Sequence, residues 1–137
     1  MIKSLFSPRP LNTDLFILLL RLVFGGMFIY FGYGKLVGFN EMLPMFGDII
    51  GIGAKPSLIL VVFAEFFCGI FVALGLLTRL SVIPIFITMI VAFFIAHAED
   101  PFAMKHAAFV YMLLSVVIFV GGSGRYSVDA LIFKQTK

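Results

Sequence analysis

The sequence predicts an all-α protein, a membrane-embedded four-helix bundle whose helices run up, down, up and down. Three observations predict it. Of 137 residues, 62% are hydrophobic and 12% charged, with a mean hydropathy of +1.16; that is too little polar surface to cover a water-soluble globule. The apolar residues gather into four runs, each near the roughly 20 residues a helix needs to cross a hydrocarbon core ~30 Å thick. Most of the charges fall in the breaks between those runs. The length suits a single domain over residues 1–137, with no evident repeat and no room for a soluble catalytic domain.

Each element has its own signal. The basic start MIKSLFSPRP has the character of a signal-peptide n-region, but the apolar run behind it is long, carries Arg21 and lacks a clear cleavage site, so an uncleaved first span is expected. Pro8 and Pro10 delay the helix, and Asn12, Thr13 and Asp14 offer N-caps, which predicts a first span over 14–33 that ends at Gly34 and Lys35. Between Leu36 and Pro56, apolar residues at Phe39, Met42, Leu43, Phe46, Ile49 and Ile50 recur at helical spacing with Glu41 and Asp48 opposite. A short amphipathic helix near 40–50 follows, lying at the interface with Pro44 in its first turn.

Pro56 opens a second span over 57–77. After the tight turn LLTRL, a third span covers 81–98, with Pro84 in its first turn. Asp100 as N-cap and Pro101 as first helical residue open a fourth span over 101–120, closed by Gly121, Gly122 and Gly124. Ser127 then caps a short amphipathic helix over 127–134, with Asp129 near its positive end.

Four spans put both termini on one side with Lys3, Arg9, Arg79, Arg125, Lys134 and Lys137, against Lys35, Lys55 and Lys105 on the other. Positively charged loops stay inside, so both termini are expected in the cytoplasm of a cytoplasmic-membrane protein. In such a chain the net charge of +3 and pI near 9.2 report orientation; they do not point to nucleic acid. Cys68, the single cysteine, rules out an intramolecular disulfide, a thiolate zinc cluster and a CxxC redox pair. The 18 Phe and 7 Met read as lipid-facing and packing residues.

Two charges interrupt the apolar runs, Arg21 and Glu65. An ionisable residue within a span normally faces the bundle interior, pairs and marks a functional site. By rise per residue, Arg21 lies roughly 10 Å into the core from one side and Glu65 roughly 12 Å from the other, close enough for a buried Arg21–Glu65 pair. Small residues share their faces: Gly25 and Gly32 beside Arg21, Cys68 and Gly69 beside Glu65. The pair would either fix helix packing or handle protons.

A second group collects at the opposite end from the termini: Tyr30, Tyr33 and Lys35, with His97 and His106. Two imidazoles without a third ligand are weak grounds for a metal or haem, and no metal is expected. A quinone head group needs hydrogen-bond donors and a proton acceptor inside an apolar slot, which Tyr30, Lys35, Glu65, His97 and His106 could supply without holding any cofactor tightly. The plainer alternative is interfacial anchoring by the tyrosines and snorkelling by Lys35. Arg79, Arg125, Ser127 and Asp129 form a third group near the termini, read as ion pairs stapling the C-terminal helix to the second loop, or as a docking surface.

The stretches LLLRLVFGGMFIYFGYGKLVGF, AEFFCGIFVALGLLTRL, AHAEDPF and GGSGRYSVDAL, in this order across about 120 residues, resemble the DoxX family of small four-span membrane proteins. The resemblance implies a four-helix membrane bundle associated with redox chemistry, since relatives include small subunits of thiosulfate:quinone oxidoreductase and terminal quinol oxidase systems; other relatives look like membrane chaperones. Where the family commonly has an acidic residue at the start of the fourth span, this chain has Lys105 and His106. The expected role is a quinone-facing or proton-linked accessory subunit, with the bilayer and a redox subunit as partners and a homo-oligomer left open. The alternative is a non-catalytic assembly or scaffold protein. Transport is disfavoured, because no broken helix or inverted repeat is evident.

Overall fold

The computed structural model describes residues 2–133, whose regular elements are all helices, four of them long and apolar enough to cross a membrane. In chain order the elements are α1 (Ile2–Leu5), α2 (Thr13–Val37), α3 (Phe39–Phe46), α4 (Ala54–Leu74), α5 (Thr78–Ala96), α6 (Phe102–Gly121) and α7 (Val128–Ile132). The spans α2, α4, α5 and α6 form the expected four-helix membrane bundle, and α1 was not anticipated. Lys134 and Lys137 lie outside the described residues, as does the end of the helix expected over 127–134.

The boundaries moved for identifiable reasons. Asn12 caps α2, its Oδ1 accepting from the Leu15 N–H at 2.9 Å. Gly34 and Lys35 do not end this helix as the sequence reading had it; α2 runs on to Val37 and closes at Gly38, whose N–H donates to the Gly34 carbonyl. A glycine inside a helix costs only about 1 kcal/mol and need not break it. In α3, Pro44 is the sixth residue instead of a first-turn one, and the helix stops soon after at Gly47, φ +74°. Asp48 belongs to the next turn, where its carboxylate accepts from the Gly51 and Gly53 N–H groups, both at 2.9 Å.

The second span starts three residues earlier than expected and stops at Leu74, because Gly75 adopts the left-handed conformation of a helix C-terminus. The third span likewise starts early, at Thr78, so Pro84 falls beyond its first turn. Its N-terminus is capped from a distance: Asp129 accepts from the Leu77 and Thr78 N–H groups at 2.7 and 3.2 Å. At the fourth span Pro101 takes the capping position expected of Asp100, whose carboxylate turns to His97 instead. Ser127 caps α7 as expected, accepting from the Ala130 N–H at 3.1 Å.

The second span is the pivot of the bundle, 44% buried against 11% for the fourth. It packs antiparallel to α2 through small residues. A Cβ on Gly25 would lie 2.7 Å from Ala73 N, and one on Gly32 would lie 2.6 Å from Phe66 Cα, so both positions require glycine for the backbones to approach this closely. The core around this seam contains Phe24, Phe28, Cys68, Val72, Val82, Ile85, Met89 and Ile118. Tyr111 of α6 closes it edge-on against Phe28, with ring centroids 5.0 Å apart.

Candidate functional site

The glycine seam determines which charges meet. Moving seven residues forward on α2, from Gly25 to Gly32, moves seven back on α4, from Ala73 to Phe66. The same register brings Lys35 level with the turn that carries Glu65. Lys35 Nζ donates to Glu65 Oε2 at 2.7 Å, with the Glu65 side chain only 7% exposed. Arg21, by contrast, falls level with the end of α4. The Arg21–Glu65 pair read from the sequence is therefore corrected: Ala73, which Arg21 contacts, is eight residues from Glu65, roughly 12 Å along a helix. Lys35 meets Glu65 because α2 continues through it to Val37, which keeps it within the span's last turn.

Glu65 sits within a π-helical turn, Phe63–Phe67, and a second such turn, Ala92–Ala96, ends immediately before His97. Single π-turns inside helices are uncommon and recur at functional sites. Both border a cavity of about 270 Å³ at the end of the bundle away from the termini. Lys35, Glu65, Ser57 and Thr88 give it a small polar wall, and Phe46, Ile49 and Ile50 of the α3 segment roof it. Leu60 and Ile87 line its lipid side and are about half exposed, while His97 stands at the outer rim. An apolar slot with a few convergent polar groups has the general character of a small-molecule site.

The other residues named from the sequence separate. Tyr30 is 73% exposed on the bundle surface, and Tyr33 packs against the Phe66 ring. His97 Nδ1 is 2.7 Å from Asp100 Oδ2. His106 is exposed, its Nδ1 donating to the Ala103 carbonyl at 2.8 Å, and Lys105 Nζ donates to the Ala98 carbonyl at 3.3 Å. Thus His97 joins the Lys35–Glu65 cavity, whereas Tyr30 and His106 do not line it. Asp100 and Thr88 belong to the site's surroundings and were missed; nothing in their local sequence separates them from an N-cap and a span residue.

At the opposite end, two arginines close helix C-termini. Arg21 is buried and donates to the Ala73 carbonyl at 3.2 Å and to the Tyr126 carbonyl, joining the end of α4 to the segment before α7. Arg79 Nε donates to the Phe119 carbonyl at 2.9 Å, at the end of α6. Such carbonyls lack intrahelical donors, and a guanidinium supplies them along with a favourable charge for the helix dipole. The expected stapling by ion pairs is corrected to stapling by side chain on backbone: the Asp129 carboxylate caps α5 and its own N–H donates to the Gly75 carbonyl at 2.9 Å. Burial alone would raise the Asp129 carboxyl, but hydrogen bonds from the Leu77 and Thr78 backbone and the Ser123 side chain outweigh it and hold the group below its usual range. Arg125 is exposed.

Comparison with known proteins agrees with this architecture. The DoxX family model matches residues 16–98. The chain is similar to a Bacillus subtilis (strain 168) protein described as "Putative oxidoreductase CatD", 33% identical over 124 residues that cover 88% of this chain and 89% of the relative. No solved structure matches it. The chain belongs to the DoxX family of multi-pass membrane proteins.

Proposed function

We propose that this DoxX-family protein is a quinone-facing, proton-linked accessory subunit of a membrane redox system, seated in the cytoplasmic membrane with both termini in the cytoplasm. One observation carries the reading: the Lys35–Glu65 pair borders an apolar cavity that opens toward lipid through Leu60 and Ile87. The relative described as "Putative oxidoreductase CatD" supports a redox context. Reduction of a quinone to a quinol takes up two electrons and two protons. The electrons come from a partner subunit bearing a redox group. The Lys35 ammonium donates a hydrogen bond to a quinone carbonyl oxygen, drawing off charge as the oxygen becomes basic, and Glu65 passes on the two protons one after the other, each taken up in turn from water. His97 lines the same cavity beside Asp100, and its place at the rim suits it to exchange protons between that carboxylate and water.

The test is infrared difference spectroscopy of the protein in lipid nanodiscs, with and without a ubiquinone or menaquinone analogue. The expected result is a Glu65 carboxyl band that changes on quinone addition and vanishes in Glu65→Gln. A carboxylate ionised throughout the neutral range and indifferent to quinone would overturn the proposal and favour the scaffold role.

A further inference from the structure

A cavity of about 580 Å³ lies at the other end of the bundle, between the α4–α5 turn and the glycine loop that follows α6. We propose that it binds the phosphodiester head group of an anionic phospholipid from the leaflet that faces the two termini. Arg79 provides the charge. Its Nε is taken by the Phe119 carbonyl, but among the described residues its two terminal nitrogens have no hydrogen-bond acceptor and no carboxylate lies within salt-bridge distance of it. The guanidinium lies across Gly122, where a Cβ would come within 3.0 Å of Nη2, so glycine at this position lets it rest on the loop. Held by Phe119 on one edge, it presents its remaining N–H groups in the fork that matches phosphate oxygens.

The surroundings favour a lipid as the source of that phosphate. Leu77, Leu80 and Phe133 border the cavity and are exposed, which gives a charged pocket an apolar rim at the depth where spans α5 and α6 end. Head group in the pocket and acyl chains along Leu80 is the arrangement such a rim suits, and basic pockets between spans bind anionic head groups in this way. Asp129 also lines the cavity, but its oxygens are occupied by the Leu77 and Thr78 N–H groups.

Native mass spectrometry of the full chain in mild detergent, offered phosphatidylglycerol and phosphatidylcholine together, tests the proposal. Both lipids carry a phosphodiester, but in phosphatidylcholine the tethered choline cation offsets its charge beside Arg79, so a preference of about tenfold for phosphatidylglycerol is expected. Arg79→Gln should abolish it. Because that change also removes the contact to Phe119, Ala130→Phe provides a second arm: it fills the cavity wall and leaves Arg79 in place. Equal retention of the two lipids, or a preference that survives in Ala130→Phe, would overturn the proposal, as would displacement of the lipid by millimolar inorganic phosphate, which would mark a free-anion site.

Discussion

Lys35 Nζ lies 2.7 Å from Glu65 Oε2, tying the last turns of the first span to the middle of the second. The two partners differ in their access to water, with side chains 24% and 7% exposed. Lys35→Met therefore leaves Glu65 buried and unpaired and should cost about 3 kcal/mol, whereas Glu65→Gln leaves a lysine able to snorkel and should cost about half of that. The double variant should lose less than the sum of the singles. Reversible unfolding in detergent measures all three, and strict additivity would show that the pair is not coupled.

Arg21 behaves differently because it serves carbonyls. Arg21→Met strands the Ala73 and Tyr126 carbonyls and should cost on the order of 3 kcal/mol. Combined with Glu65→Gln it should be additive within about 0.5 kcal/mol, the behaviour of separated sites. The same unfolding assay supplies the number.

Asp129 makes the C-terminal clamp sensitive to acid. Its folded carboxyl titrates below the unfolded value, so the stabilisation is complete above the unfolded pKa of about 3.9 and is lost as pH falls through the lower folded value. Hydrogen exchange at the Leu77 and Thr78 amides should accelerate relative to the chain average below about pH 4. Asp129→Asn should weaken the cap by about 1 kcal/mol and remove the pH dependence.

The glycines of α2 divide sharply. Gly32→Ala drives a methyl into the Phe66 backbone and should cost about 1–3 kcal/mol. Gly26→Ala meets nothing within 4 Å and should be neutral or stabilise by up to about 1 kcal/mol. Thermal midpoints of the two variants in detergent give the comparison.

The basic residues near the termini predict the topology. A green fluorescent protein fusion at Lys137 should fluoresce, and alkaline phosphatase inserted near Asp48 should be active. Phosphatase activity from a fusion at Lys137 would reverse the orientation.

The four spans were legible in the sequence because hydropathy over some 20 residues is a strong local signal, and Asn12 and Ser127 announced their caps for the same reason. Partnerships were harder. Pairing Arg21 with Glu65 assumed that each span begins at its cap and crosses symmetrically, while the register is actually determined where Gly25 and Gly32 let two backbones touch. Those glycines had been noticed as a face but not used as a ruler. The Asp129 cap on α5 joins residues 51 and 52 positions apart, and no local pattern foretells such a contact. The π-turn around Glu65 is also silent in sequence: Glu65 breaks the apolar run, but nothing in FAEFF signals an extra residue in the turn.

The seam has a mechanical consequence. The one helix pair carries Lys35 against Glu65 toward one end and Arg21 against Ala73 toward the other, with two glycine contacts between them. A slide of a single residue, about 1.5 Å, would disengage both ends at once and drive side chains into backbone in the middle. Piston-like motion of the second span along the first is thereby forbidden. The glycine seam thus fixes the height at which Lys35 meets Glu65, and with it the depth of the cavity they border.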